Sequence, residues 1–158
     1  MTHESEQTDI RMATRADEEA IMELCRMLHE ENGQFPMSDE KVRTEVRRGL
    51  DHNFAICAVI CGPKRIEAVS LLTIDQPWYS DTWMLQECFI FVHPDHRRTT
   101  HAKRLINYAR ECADRMEIPL LIGVLSNHKT EAKVKLYERV FGAKAGAYFL
   151  HDGSREVH

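Results

Sequence analysis

Phe91-Val92-His93-Pro94-Asp95-His96-Arg97-Arg98-Thr99-Thr100-His101-Ala102-Lys103-Arg104-Leu105 is the stretch on which the fold turns. An apolar run from Thr82 to Val92 reads as a strand, and Pro94 forces the chain out of it. Thr99 or Thr100 then caps a helix that carries Ala102, Leu105, Ile106, Ala109, Ala113 and Met116 on one side. Helix N-termini have unpaired N–H groups and a positive dipole end, so this junction suits an anion. Arg97 and Arg98 add charge there, and Thr99 and Thr100 add hydroxyl donors. A solvated helix with a basic first turn fits the same residues. Basic residues oppose the dipole, however, and an anion would relieve that opposition.

Outward from this junction, Pro119 ends the helix connector and Leu120–Leu125 reads as a short buried strand. The unit 82–125 is therefore a β-α-β crossover with a parallel strand pair. Upstream, 54–61 is an apolar run fit for a strand buried on both faces, and Gly62-Pro63 turns it into a second strand over 66–74. A first strand covers 9–14. Thr14 and Asp17 form a capping-box start for a helix with Ala20, Ile21, Leu24, Met27 and Leu28 inward, closed by Asn32-Gly33. Ser38 caps a second helix with Val42, Val46 and Leu50 inward. Downstream of Ser126, a last helix turns Val134, Tyr137, Val140 and Phe141 inward and stops at Gly142, before a final strand at 147–151. The expected order is β-α-α-β-β-β-α-β-α-β, a mixed, mostly antiparallel α/β sheet flanked by helices.

The junction and the last helix together resemble the GCN5-related N-acetyltransferase (GNAT) superfamily. Val92-His93-Pro94-Asp95-His96-Arg97 and Arg97-Arg98-Thr99-Thr100-His101-Ala102 are similar to its V-x-P-x-x-R and R/Q-x-x-G-x-G/A pattern. Leu136-Tyr137-Glu138-Arg139-Val140-Phe141-Gly142 resembles its L-Y-x-x-x-G-F box, with Phe and Gly exchanged. The resemblance spans about 10–150 and implies the acyl-CoA N-acyltransferase fold, in one N-acetyltransferase domain over 1–158 with a core at about 9–151. It implies acetyl-CoA as cosubstrate, with the pantetheine arm along Cys88–Val92 and the site drawn from Phe91, Val92, Arg97, Arg98, Thr99, Thr100, His101, Ala102, Lys103 and Asn127. It also makes Tyr137 the acid that protonates the leaving thiolate, a position that a half-buried packing tyrosine would equally fill. Thr100 stands where the family has Gly, which bears on how closely a pyrophosphate approaches. The customary last strand is short or missing, leaving an edge that a second copy in a homodimer would cover.

Alternation along 82–92 puts Glu87, Phe89 and Phe91 on one face. That makes Glu87 the candidate base for the attacking amine, against the reading of a solvated strand glutamate. His93 and His128 are the reserves. The nine histidines match no metal-ligand spacing. For the acceptor, Glu30, Glu31, Phe35, Trp78, Tyr79 and Asp81 offer acids and aromatics suited to a cationic amine on a small molecule or protein.

Composition bounds the alternatives. The chain has 158 residues, 43% hydrophobic and 29% charged, and a formal net charge of −4. An acidic balance argues against nucleic-acid binding, which needs a basic stripe. No apolar run is long enough for a bilayer. The polar opening MTHESEQTDI and five cysteines read as reduced packing residues point to a cytoplasmic address. A non-catalytic CoA-binding sensor or partner-binding module on the same fold remains the alternative to an N-acetyltransferase.

Overall fold

A computed structural model describes residues 9–153. Its elements are β1 (Ile10–Met12), α1 (Glu18–Asn32), α2 (Asp39–Leu50), β2 (Ala55–Cys61), β3 (Ile66–Asp75), β4 (Met84–Val92), α3 (His101–Met116), β5 (Leu120–Leu121) and α4 (Thr130–Phe141). The sheet order is β1-β2-β3-β4-β5. Neighbours are antiparallel from β1 to β4, and β4 and β5 are parallel across the α3 crossover. The fold is thus the mixed α/β sheet flanked by helices that the sequence predicts.

Strand alternation divides the apolar residues between two faces. Cys57 and Val59 of β2 and Val69 and Leu71 of β3 pack with Ile21, Met22, Leu24 and Cys25 of α1 and Val46 and Leu50 of α2. On the other face, Leu72 and Leu85 meet Ala109, Cys112 and Ala113 of α3, and Ala58, Ile60 and Ala68 meet Leu105. Helix α2 comes very close to the sheet at Gly49, where an added Cβ would lie 2.6 Å from Leu71 Cδ1. The helix starts follow the expected capping chemistry. The Asp17 carboxylate accepts the Thr14 amide at 2.8 Å, and Ser38 Oγ accepts the Lys41 amide at 3.3 Å.

Four expectations need correction. Ala20 of α1, Met116 of α3 and Phe141 of α4 are exposed rather than inward. The strand after Pro119 is two residues long and half open, with Leu121 43% and Leu125 60% exposed. No strand forms at 147–151: Tyr148, Phe149 and Leu150 lie in solvent. These residues have β-forming side chains, but the neighbouring edge, β5, is only two residues long and offers too short a ladder to pair with. Finally, Leu71 pairs with Phe89 and Leu72 with Glu87, so Cys88 is the extra residue of a β-bulge. The bulge breaks the alternation that put Glu87 on the face of Phe89 and Phe91. Cys88 is accordingly exposed, not packed.

Candidate active site

The parallel pairing of β4 with β5 stops after two residue pairs, Leu85–Leu120 and Gln86–Leu121. Beyond it the strands diverge, and among the described residues no strand covers the β4 edge from Glu87 to Val92. A side chain added at Gly123 would meet nothing within 4 Å, so the space beside the diverging strands is open. An extended ligand bearing amides could pair with this edge as a strand would.

Glu87 and Tyr137 face each other at this divergence. The Gly123 amide donates to Glu87 Oε2 at 3.0 Å. Burial pushes the Glu87 carboxyl up to about 7, against the downward pull of the Gly123 amide, the Tyr137 hydroxyl and the Ile90 amide. Burial also raises Tyr137 well above the ordinary phenol range, and the adjacent Glu87 charge and hydrogen bond add to the shift. A carboxyl poised near neutrality therefore sits beside a phenol that keeps its proton. Cys25 and Cys57 are packed in the core, where burial pushes their thiols up to about 12 and disfavours the nucleophilic thiolate.

At the other end of β4, the 3-10 turn Pro94–His96 leads to α3, whose N-cap is Thr100. Arg98, Thr99, Thr100 and Lys103 are exposed at this mouth, and Ala102 is half-buried. The capping hydroxyl is that of Thr99, which accepts the His101 amide at 3.3 Å while donating to His96 O at 2.6 Å. Thr100 makes no side-chain cap bond.

Three predicted ligand residues stand differently from expectation. Arg97 turns back over the Phe91 ring and pairs with Glu31 at 2.6 Å, so its charge is already matched. Asn127 is bound to the end of α1: its Nδ2 donates to Gly33 O at 3.1 Å and its Oδ1 accepts Gln34 Nε2 at 2.7 Å. His101 is buried against Glu67, with Nε2 at 2.9 Å from the carboxylate. Phe91 is also buried, leaving only its backbone for the edge. Val92 is half-buried in the α3 core, with its carbonyl 3.4 Å from Arg97 Nε.

The reserve base His93 lies at the far end of β4 from Glu87. Its Nε2 is 3.0 Å from Arg65 Nη1 and its Nδ1 is 3.1 Å from the Asp95 amide. A neutral imidazole can accept at only one of these nitrogens. Burial, then the Arg65 charge, depress its proton affinity. Of the acceptor candidates, Phe35, Trp78 and Tyr79 are exposed, and the last two meet edge to face at 5.4 Å. Glu31 is committed to Arg97.

Residues that the motif reading missed are Glu31 as an ion-pair partner, Lys133, Gly123 and Glu67. Glu67 did leave a signal, as the single charged residue inside the apolar run 66–74. Gly123 left none, because its amide meets Glu87 only where β5 turns away, and Lys133 left none, because only the fold brings it within 3.4 Å of Asn32 Oδ1.

An antiparallel meander, a crossover helix and two strands that diverge over an exposed helix start define the acyl-CoA N-acyltransferase fold. The acetyltransferase (GNAT) domain family matches residues 53–140, and the chain belongs to that family. Among solved structures, AAC(6′)-Iy bound to the bisubstrate analogue CoA-S-monomethyl-acetylneamine aligns at TM-score 0.71 and 14% identity, over 90% of this chain and 95% of the other. A ribosomal-protein-alanine N-acetyltransferase from Brucella melitensis biovar Abortus 2308 aligns at 0.68 and 19%, over 90% and 96%. The aminoglycoside 6′-N-acetyltransferase AAC(6′)-IG from Acinetobacter haemolyticus aligns at 0.66 and 18%, over 90% and 95%. No curated protein matches the sequence. Among the described residues, no helix is long and apolar enough to cross a membrane.

Proposed function

We propose that the chain is an acetyl-CoA-dependent N-acetyltransferase that passes an acetyl group directly to a primary amine. One observation carries this reading: the uncovered β4 edge begins at the contact between Glu87 and Tyr137. Acetyl-CoA would supply the activated acetyl group. The backbone from Cys88 to Val92 would hold its amide-bearing arm, and the exposed amides and side chains of residues 97–103 its diphosphate.

The residues then divide the proton work. Attack forms the C–N bond and breaks the C–S bond. Glu87, near half-ionised at neutral pH, takes the proton that the amine loses. Tyr137, held protonated, gives one to the departing sulfur. The contact between the two returns that proton from carboxyl to phenolate, so the pair ends the cycle as it began. No covalent enzyme intermediate is required.

A primary amine is supported by the amine chemistry named for the structural neighbours, whose acceptors differ from one another. The exposed Trp78–Tyr79 pair suits a cationic acceptor on a small molecule or a protein. A second copy, covering the outer edge of β5 together with Tyr148–Leu150, suits the shortened sheet. Five unpaired cysteines suit a reducing, cytoplasmic setting.

The engagement of Arg97 with Glu31 and of Asn127 with Gly33 and Gln34 favours a second reading, a non-catalytic CoA-binding module. One experiment separates the two. The melting temperature is recorded with and without millimolar acetyl-CoA, and free thiol is then followed across a panel of primary amines. A rise in melting temperature with amine-dependent thiol release is expected. Binding without release supports the module, and no thermal shift overturns both readings.

A further inference from the structure

Beneath the mouth of the proposed diphosphate site lies a polar cluster that the reaction does not use. Glu67 of β3 is 8% exposed, and no arginine or lysine is paired with it among the described residues' ion pairs. Its Oε1 lies 2.9 Å from His101 Nε2 and 3.5 Å from His96 Nδ1. Its backbone carbonyl accepts the His93 amide at 2.8 Å. The three contacts fall at the entry of the loop, in its 3-10 turn and at the first residue of α3.

We infer that Glu67 is a positioning residue, which fixes the 93–101 loop in the geometry that receives a diphosphate. The inference rests on the proposed acetyl-CoA reading of that loop. Residues 97–100 are exposed, so the aim of their amides depends on the few ties that hold the loop: the Arg97–Glu31 pair and the Thr99 hydroxyl bonds within it, and the Glu67 contacts at its two ends. At the position where the resembled motif has Gly, Thr100 leaves the backbone less freedom to adjust around a ligand. A loop that cannot adjust has to be set beforehand, and pre-set donors hold an anion more tightly.

Stability alone does not account for the cluster. A buried carboxylate with two imidazoles costs desolvation that an apolar trio would avoid. The cluster also leaves His101 Nδ1 buried without a partner among the described residues. The space for it is made at Gly62, where an added Cβ would lie 1.7 Å from Glu67 Oε2. An outer tie repeats the arrangement, with Arg65 reaching Asp95 at 3.2 Å and His93 at 3.0 Å.

The test compares two probes, coenzyme A and pantetheine, which share the arm but differ in the diphosphate. Their Kd values are measured by calorimetry and by NMR titration for wild type, Glu67→Ala, Glu67→Gln and Gly62→Ala. Loss of charge-assisted contacts predicts CoA binding weakened about tenfold in Glu67→Ala and about threefold in Glu67→Gln, with pantetheine changed less than about twofold. Gly62→Ala, which displaces the carboxylate without removing it, should weaken CoA with the same selectivity. Parallel weakening of both probes would mark a merely structural role and overturn the inference, as would CoA binding unchanged in all variants. Should Glu67→Ala show no cooperative melt, the Glu67→Gln and Gly62→Ala ratios decide by the same criterion. Wild-type protein that binds neither probe overturns the acetyl-CoA reading itself, a result distinct from either of these.

Discussion

The α1/α2 face of the sheet and the β4–β5–α4 side differ in how far each is closed. On the first, Ile21, Met22, Val46, Val59, Val69 and Leu71 are essentially without solvent contact. Glu18 of α1 is gripped there by Arg47 at 2.6 Å and Arg43 at 2.8 Å, which hold its carboxyl down at about 2. On the second, α4 has no fully buried residue, Tyr137 being half-buried, and 142–153 is exposed throughout. The contrast separates the part that holds the fold from the part left open to a ligand. Truncation should show it most strongly. Leu71→Ala should cost about 3 kcal/mol in urea unfolding, whereas Val140→Ala of α4 should cost under about 1 kcal/mol. Equal losses would break the comparison.

On the open side, effects should appear in turnover rather than in stability. Tyr137→Phe keeps the ring and removes the proton, so kcat should fall about 100-fold while the Kd of CoA stays within about twofold. A large change in CoA affinity with kcat preserved would make Tyr137 a packing residue.

Glu87→Gln tests the same pair from its other member. The Glu87 carboxyl is raised above its usual value, so its ionised fraction grows as pH rises through about 7. The wild-type kcat/KM should rise over that interval and level off above it. The variant should be about thirtyfold slower and lose this limb. The sign for stability is opposite to that of Glu18. Between the ordinary glutamate range and about 7, native Glu87 binds more proton than the unfolded chain, so stability falls with rising pH. Glu87→Gln should therefore melt about 3 °C higher than wild type at pH 8. A variant that is slower and also less stable would indicate misfolding of the bulge instead.

Sequence periodicity revealed the closed side better than the open one. The inward residues of α2, the two-faced strands β2 and β3 and the helix stops at Gly33 and Gly142 follow from local patterns. Glu87 and Tyr137 were legible as residue types at a strand and a helix. Their meeting depends on the Cys88 bulge and on the short β5, and neither has a local signature. The partner of Arg97 was illegible for a related reason. Glu31 lies far away in sequence, and only the packing of α1 over the end of β4 brings the two together. At 147–151 the local pattern misled, because strand propensity cannot act without a neighbouring ladder.

The smallest effect bears on which side Glu31 serves. Its pair with Arg97 superficially repeats the Glu18 cluster, but Arg97 lies at the mouth proposed for the diphosphate and Glu18 lies between two helices. Lys133, beside Asn32 at 3.4 Å, is depressed by burial and by Arg97, while the Glu31 charge partly restores it. Glu31 thus neutralises Arg97 where a diphosphate would otherwise do so, and its charge also favours protonated Lys133. An ion pair this open is worth about 1 kcal/mol at most, and a ligand must displace it to use Arg97. Glu31→Gln should then bind CoA about threefold more tightly at low salt, with the gain shrinking as ionic strength rises. Weaker binding would mean that Glu31 orients Arg97 for the ligand, and the mouth would then resemble the preassembled α1/α2 cluster more closely than the open half.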